Sequence, residues 1–205
     1  MKHRKLKKRF KILVLGFILL TINLKVAIPR IAEDIKIKKD EVLVEDYIRG
    51  YTNNITGSPR KERMFKQAKE KYIGVLEIPS IELKQGLVSP SSNVNNVNKN
   101  IEIIKPYHMP NEEGKVMILA SHSGTSKVAF FDNLRYVNLR DYVYVYYGGI
   151  KYKYQVIDKY QIKKTGYFNM KTYEDKTLLV LITCNPNNSK KQIVVICNRL
   201  TWIKI

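Results

Sequence analysis

Hydrophobic and polar positions change rhythm three times along the chain. Residues 12–28 (ILVLGFILLTINLKVAI) form an almost unbroken apolar run with one charge, Lys25, behind a tail carrying Lys2, Arg4, Lys5, Lys7, Lys8, Arg9 and Lys11. Its 17 residues predict a helix at the short end of what spans a bilayer, with Lys25 able to snorkel to the interface. No small-x-small cleavage site stands before Pro29-Arg30, which favours an uncleaved anchor over a signal peptide. Residues 40–51 (DEVLVEDYIRGY) and 60–72 (RKERMFKQAKEKY) mix charged and apolar positions as helices do, and the turn-rich TNNITGSP joins them. From Gly74 the pattern becomes short runs rich in Val, Ile and Tyr. Strands are expected at 74–79, 81–83, 101–104, 116–120, 142–147, 150–157, 178–182 and 193–198. Pro79 makes the first two edge-like, because a central ladder does not tolerate proline.

The organisation that follows is a basic tail (1–11), a transmembrane anchor (12–28), a partly helical stalk (29–72) and a mostly β domain (73–205), an antiparallel barrel or sandwich. About 130 residues suffice for its core. With Lys and Arg kept on the cytoplasmic side, everything after residue 30 or so faces outward.

Charge narrows the partners. The net charge is +19; the first 30 residues hold nine basic residues and no acid, which leaves +10 on the remainder. Such a surface attracts anionic polymers or headgroups. An outward orientation turns that preference toward envelope polymers and membrane rather than nucleic acid. The acids are too scattered to place a metal site, and no cofactor motif is present. Two glycosylation sequons, at Asn54 and Asn187, are short enough to arise by chance.

Two Cys and three His leave few ways to build a thiol–imidazole pair. His3 belongs to the basic tail, so the choice lies among His122, His108, Cys184 and Cys197. Cys184 ends the run LLVLITC and His122 ends VMILASH, so two separate strands would deliver nucleophile and base. Cys197 lies inside IVVIC and reads as a small buried residue, with a Cys184–Cys197 disulfide as the rival. His108, in KPYHMP, reads as a loop residue.

These fragments together resemble the sortase family, the membrane-anchored cysteine transpeptidases of Gram-positive bacteria. GVLEIPSIEL resembles the family's opening G-x-L-x-I-P-x-I-x-L. MPNEEGKVMILASHSG resembles the stretch ending in the catalytic His, FFDNL follows at the usual interval, and VLITCNP resembles T-L-x-T-C with Val180 at the first Thr. The resemblance implies a closed sortase-like β-barrel with short helices, a Cys184 nucleophile, a His122 base or acid, and substrate contacts from Thr183, Ser121 and Lys191. It implies attack on a Thr carbonyl in an LPxTG-like sorting signal of a surface protein or pilin. A cell-wall (peptidoglycan precursor) or pilin amine then releases the thioester.

One position departs from the family. Its Arg on the strand after the Cys falls on Gln192 here, which keeps an N–H donor and loses the charge and the two-pronged geometry. Gln192 itself, Lys191 turned inward by a bulge, or Arg199 from farther along are the possible substitutes, in that order. Asp132 is close enough in sequence to orient His122, but Asp-Asn-Leu is as readily a turn. Tyr142, Tyr144, Tyr146 and Tyr147 read as barrel surface and core. The departure keeps two other functions in view: a non-catalytic binder of surface proteins or envelope polymers, and a peptidase that hydrolyses its own thioester.

Overall fold

In a computed structural model the described residues are 2–52, 58–165, 173 and 175–205, with side chains described from Thr21 onward except at positions 22 and 24. The chain divides into residues 1–40 and 41–205, and helix α1 (Lys2–Thr52) runs through both. The first unit is helical throughout. Pro29 lies inside the helix even though proline gives up one backbone bond and crowds the preceding turn. No separate helix begins at Asp40, because residues 30–39 contain no Gly or Pro beyond that point to interrupt the run. The expected anchor at 12–28 is helical in its backbone, while most of its side chains lie outside the described residues. Among the described residues no helix is long and apolar enough to cross a membrane.

The second unit is a strongly curved sheet of eight strands: β1 (Gly74–Ile78), β2 (Leu83–Leu87), β3 (Glu102–Ile103), β4 (Val116–Ala120), β5 (Tyr142–Tyr147), β6 (Ile150–Lys163), β7 (Leu178–Asn185) and β8 (Asn188–Lys204). Their order is β2-β1-β5-β6-β8-β7-β4-β3. All neighbours are antiparallel except β4 and β7, which run side by side in parallel. The first strand is a correction to the sequence reading. β1 is flanked by β2 and β5 rather than lying at an edge. Pro79 comes just after it, opening a 3-10 helix (Pro79–Ile81), so its missing N–H costs the ladder nothing.

The two sheet edges, β2 and β3, meet through one side chain. Asn100 is buried; its amide donates to the Gly86 carbonyl at 3.0 Å, and its Oδ1 accepts from Gln85 Nε2 at 3.0 Å and from the Ile101 N–H at 2.8 Å. The side-chain amides of Asn100 and Gln85 thus stand in for the missing ladder, and the barrel is nearly closed.

Apolar side chains fill both sides of the wall. Leu76, Ile78, Leu119, Val145, Tyr154, Leu181, Val195 and Cys197 pack inside with Phe131, Leu134 and Val137. On one outer face Val44 and Tyr47 of α1 and Ala68 of α2 (Pro59–Lys71) cover Val75, Val88 and Tyr146. Residues 41–52 and 58–72, read from sequence as part of a stalk, therefore lie against the barrel, fastened also by Tyr47 donating to the Ile73 carbonyl. On the other outer face Leu178, Val180, Ile182, Val194 and Ile196 form a third cluster. Buried on both faces, β7 reads as a continuous apolar run with no alternation, as a parallel strand does.

Candidate active site

Strand β7 carries Cys184 and strand β4 leads to His122. Their parallel register ends at Ala120 opposite Ile182. Two further bonds extend the pairing: the Ser121 N–H donates to the Ile182 carbonyl at 3.3 Å, and the Thr183 hydroxyl donates to the Ser121 carbonyl at 2.8 Å. His122 and Cys184 are the next residue on each chain. Ser121 and Thr183, expected from the resemblance to touch substrate, are 4% and 2% exposed. The Ser121 backbone and the Thr183 hydroxyl hold the two strand ends together, so both residues are buried rather than open to solvent.

The loop after His122 is fixed at several points. The Phe131 N–H donates to the His122 carbonyl at 3.1 Å, the Ser121 hydroxyl to the Val128 carbonyl at 3.2 Å, and the Gly124 N–H to Asp132 Oδ1 at 2.7 Å. Gly124 has φ +110°, a conformation that L side chains rarely adopt. Asp132 heads a 3-10 helix (Asp132–Tyr136), as its turn reading allowed, and its carboxylate holds Gly124 and Arg135. Its hydrogen bonds go to the loop rather than to the ring. The ring's partner is Asn98, whose Oδ1 lies 3.0 Å from His122 Nε2. A carbonyl oxygen only accepts, so Nε2 carries the proton and Nδ1 is the nitrogen left for exchange. The sequence reading missed Asn98. Its only signal was the Asn-rich stretch SSNVNNVNKN, where asparagines bond nearby backbone groups in tight turns.

Gln192 occupies the register position facing the nucleophile. It pairs with Cys184 on one side and with Ile162 on the other, so both side chains project from the same face. Lys191 is exposed and pairs with Lys163 instead. Arg199 is committed elsewhere: its guanidinium donates to the Pro110 carbonyl and to Glu113 Oε1, both at 2.9 Å. Of the three candidates for the missing Arg, Gln192 alone shares a cross-strand pair with Cys184.

The remaining thiol and imidazole have other surroundings. Cys197 is fully buried among the barrel's inner residues, and burial pushes its thiol well above the ordinary range. Both cysteines are free. A bond between them is geometrically out of reach: the partner of Cys184 is Gln192, five residues and roughly 17 Å along β8 from Cys197, which points through the opposite face. His108 Nδ1 lies 2.9 Å from Glu112 Oε2, inside a loop where Glu112 also accepts the Met109 N–H at 2.6 Å. The Met109 bond first, then His108, holds the Glu112 carboxyl below its usual value. Among the described residues no cluster of His, Cys, Asp and Glu could hold a metal.

Chemically, the site offers a half-buried thiol near the end of β7, an imidazole just past the end of the neighbouring β4, and a neutral amide at the register position opposite the thiol. No curated protein matches this sequence. Among solved structures the fold is similar to sortase A of Listeria monocytogenes, at 19% identity over 65% of this chain and 90% of that one, with a TM-score of 0.54. It is also similar to sortase C1 of Streptococcus suis, at 18% identity over 79% and 96%, TM-score 0.57, and to a sortase D5 transpeptidase of Clostridium perfringens, at 16% over 80% and 99%, TM-score 0.55. Residues 76–200 match the Sortase domain family, and with more than half of its length inside that match the chain belongs to the sortase family.

Proposed function

We propose that this protein is a cysteine transpeptidase that cleaves an LPxTG-like sorting signal and transfers the acyl fragment to an amine. The observation that carries the reading is the pairing at the open end of β7: Cys184 opposite Gln192 and one residue beyond the Thr183–Ser121 bond that brings His122 alongside. In the first half-reaction the Cys184 thiolate attacks the Thr carbonyl and the Gln192 amide donates to the oxyanion. The C–N bond breaks as His122 gives its proton to the departing amine, leaving a thioester. In the second an acceptor amine attacks, its proton passes to His122, the C–S bond breaks, and the Cys184 thiolate is released beside the reprotonated imidazole. A thiolate is the competent nucleophile for the first step, and one imidazole can give a proton in the first half-reaction and take one back in the second.

The same reading makes residues 12–28 a membrane anchor, with the N-terminus cytoplasmic and the barrel outside, among secreted surface proteins or pilins as donors. Cell-wall or pilin amines are the acceptors. The basic tail followed by an apolar run supports it.

The test is to incubate the reduced full chain in neutral detergent with a pool of LPxTG-like peptides and record its intact mass beside Cys184→Ala. A peptide-fragment adduct on the parent alone is expected. Absence of adduct and of cleaved peptide across a broad pool would sink the catalytic reading. It would favour instead a groove that only binds, the function left open by Gln192 in place of Arg.

A further inference from the structure

The ladder between β7 and β8 is regular only as far as the Cys184–Gln192 pair. Asn185 next faces Asn188, which leaves Ser189, Lys190 and Lys191 outside that ladder. On its other side β8 stays joined to β6, since Lys191 pairs with Lys163 and the Lys190 carbonyl accepts from the Lys164 N–H at 2.9 Å. The nucleophile and the amide opposite it therefore sit where main-chain bonding between their two strands stops, and strand ends of this kind are the first to open.

One side chain bridges the gap. Asn185, 8% exposed, donates through Nδ2 to Gln161 Oε1 at 3.0 Å, and its Oδ1 accepts the Asn187 N–H at 2.8 Å. A backbone N–H only donates, so the second bond fixes which way the Asn185 amide points and makes Gln161 the acceptor. Gln161 belongs to β6 and Asn185 to β7, with β8 between them, so their hydrogen bond passes over β8. Gln161 pairs with Ile193, an inner residue of the barrel, whereas Gln192, one step along, projects from the opposite face with Cys184. The bond thus lies across the back of the segment whose front presents Gln192 to the thiol. We propose that Asn185 and Gln161 are positioning residues, whose clasp over β8 keeps the Gln192 amide in register with Cys184 for donation to the oxyanion. The inference rests on the transpeptidase reading above. Neither residue touches the reacting atoms; both act through Gln192, because a preorganised donor works only within a few tenths of an ångström of the place where charge develops.

Two measurements on the full chain in neutral detergent decide it. Gln161 is exposed, so its substitution spares the core. Gln161→Met keeps the length of the side chain and removes the accepting oxygen, while Gln161→Glu keeps that oxygen. The first measurement is the rate of adduct formation with an LPxTG-like peptide. Gln161→Met should lower the saturated rate by about tenfold, less than the hundredfold that a misplacement of about 1 Å costs, and leave the half-saturating peptide concentration unchanged. Gln161→Glu should react like the parent. In a Gln192→Ala background Gln161→Met should cost nothing further, because the two changes remove the same interaction. An unchanged rate in Gln161→Met, a Gln161→Glu variant as slow as Gln161→Met, or an equal loss in both backgrounds would overturn the role and leave the transpeptidase standing. The second measurement is hydrogen exchange of the backbone amides from Cys184 to Gln192, which needs no turnover. Exchange should quicken in Gln161→Met and not in Gln161→Glu; the same exchange in all three proteins would overturn the clasp. No adduct on the parent would overturn the transpeptidase reading and the positioning role together.

Discussion

Cys184 and Cys197 lie on neighbouring strands of one sheet and have opposite chemistry. Cys197 projects into the barrel, opposite Leu179 and Val156, where burial keeps its thiol protonated. Cys184 projects from the outer face, half-buried, at the last regular pair before the β7–β8 ladder bulges. Odd-numbered residues of β7 and β8 point inward and even-numbered ones outward, so a single step in register would exchange the two environments. The residue type makes neither one a nucleophile. Face, strand end and neighbours decide which thiol a substrate could reach.

The sharpest way to break this comparison is to remove each sulfur in turn. Cys184→Ala should abolish the peptide adduct while leaving the fold intact. Cys197→Ala should keep adduct formation and lose about 1–2 kcal/mol of stability through the cavity it leaves. Intact mass and urea unfolding of both variants measure this. An adduct that survives in Cys184→Ala would show that the outer face does not hold the nucleophile.

Next in size is the tether that places the outer thiol. Thr183→Val keeps shape but removes the hydroxyl that the buried Ser121 carbonyl accepts from. An unsatisfied carbonyl costs roughly 1–3 kcal/mol. Loosening β4 from β7 should slow acylation by roughly 10–100-fold through misplacement of His122. Thr183→Ser should restore the rate. A variant that loses stability and keeps its acylation rate would separate the tether from the chemistry.

The third test concerns what faces Cys184 across the ladder. Gln192→Arg puts a charged, two-pronged donor at that register position, and turnover should rise by about tenfold if only charge is missing. An unchanged or lower turnover in a folded variant would mean that the site has been built around the neutral amide.

Much of this was legible in the sequence because it rests on local pattern. The apolar runs at 116–120 and 178–182 give the two strands, and the fragments around His122 and Cys184 give the family by resemblance. Gln192 falls opposite Cys184 in the ladder, and because register repeats every two residues Lys191, one step away, faces elsewhere. What stayed hidden depends on contacts between distant segments. Nothing local distinguishes Asn98 and Asn100 from their neighbours in SSNVNNVNKN, yet one bonds the ring of His122 and the other closes the barrel. Residues 41–72 read as a stalk because their apolar positions are sparse. Val44, Tyr47 and Ala68 are enough to dock them, since the barrel offers Val75, Val88 and Tyr146 in return. Ser121 and Thr183 were assigned to substrate because the family motif includes them. Their burial appears only once β4 and β7 lie side by side.

The smallest effect comes from a second contrast, between the two histidines. His122 faces the neutral oxygen of Asn98, whereas His108 faces the Glu112 carboxylate. The Met109 N–H and then His108 lower the Glu112 pKa from its usual value. A carboxyl whose folded pKa is depressed adds stability that is complete above its unfolded value, about 4.3–4.5, and is lost as pH falls through the folded pKa. Glu112→Gln should therefore have a slightly lower urea midpoint than the parent at pH 6–7, and the two should converge as the pH is taken down toward 3. The contact is open to solvent on one side, so the shift is small. An offset that is the same at both ends of the range would mean that Glu112 acts through the shape of its loop and not through its charge. His108 would then lose the one interaction that sets its environment apart from that of His122.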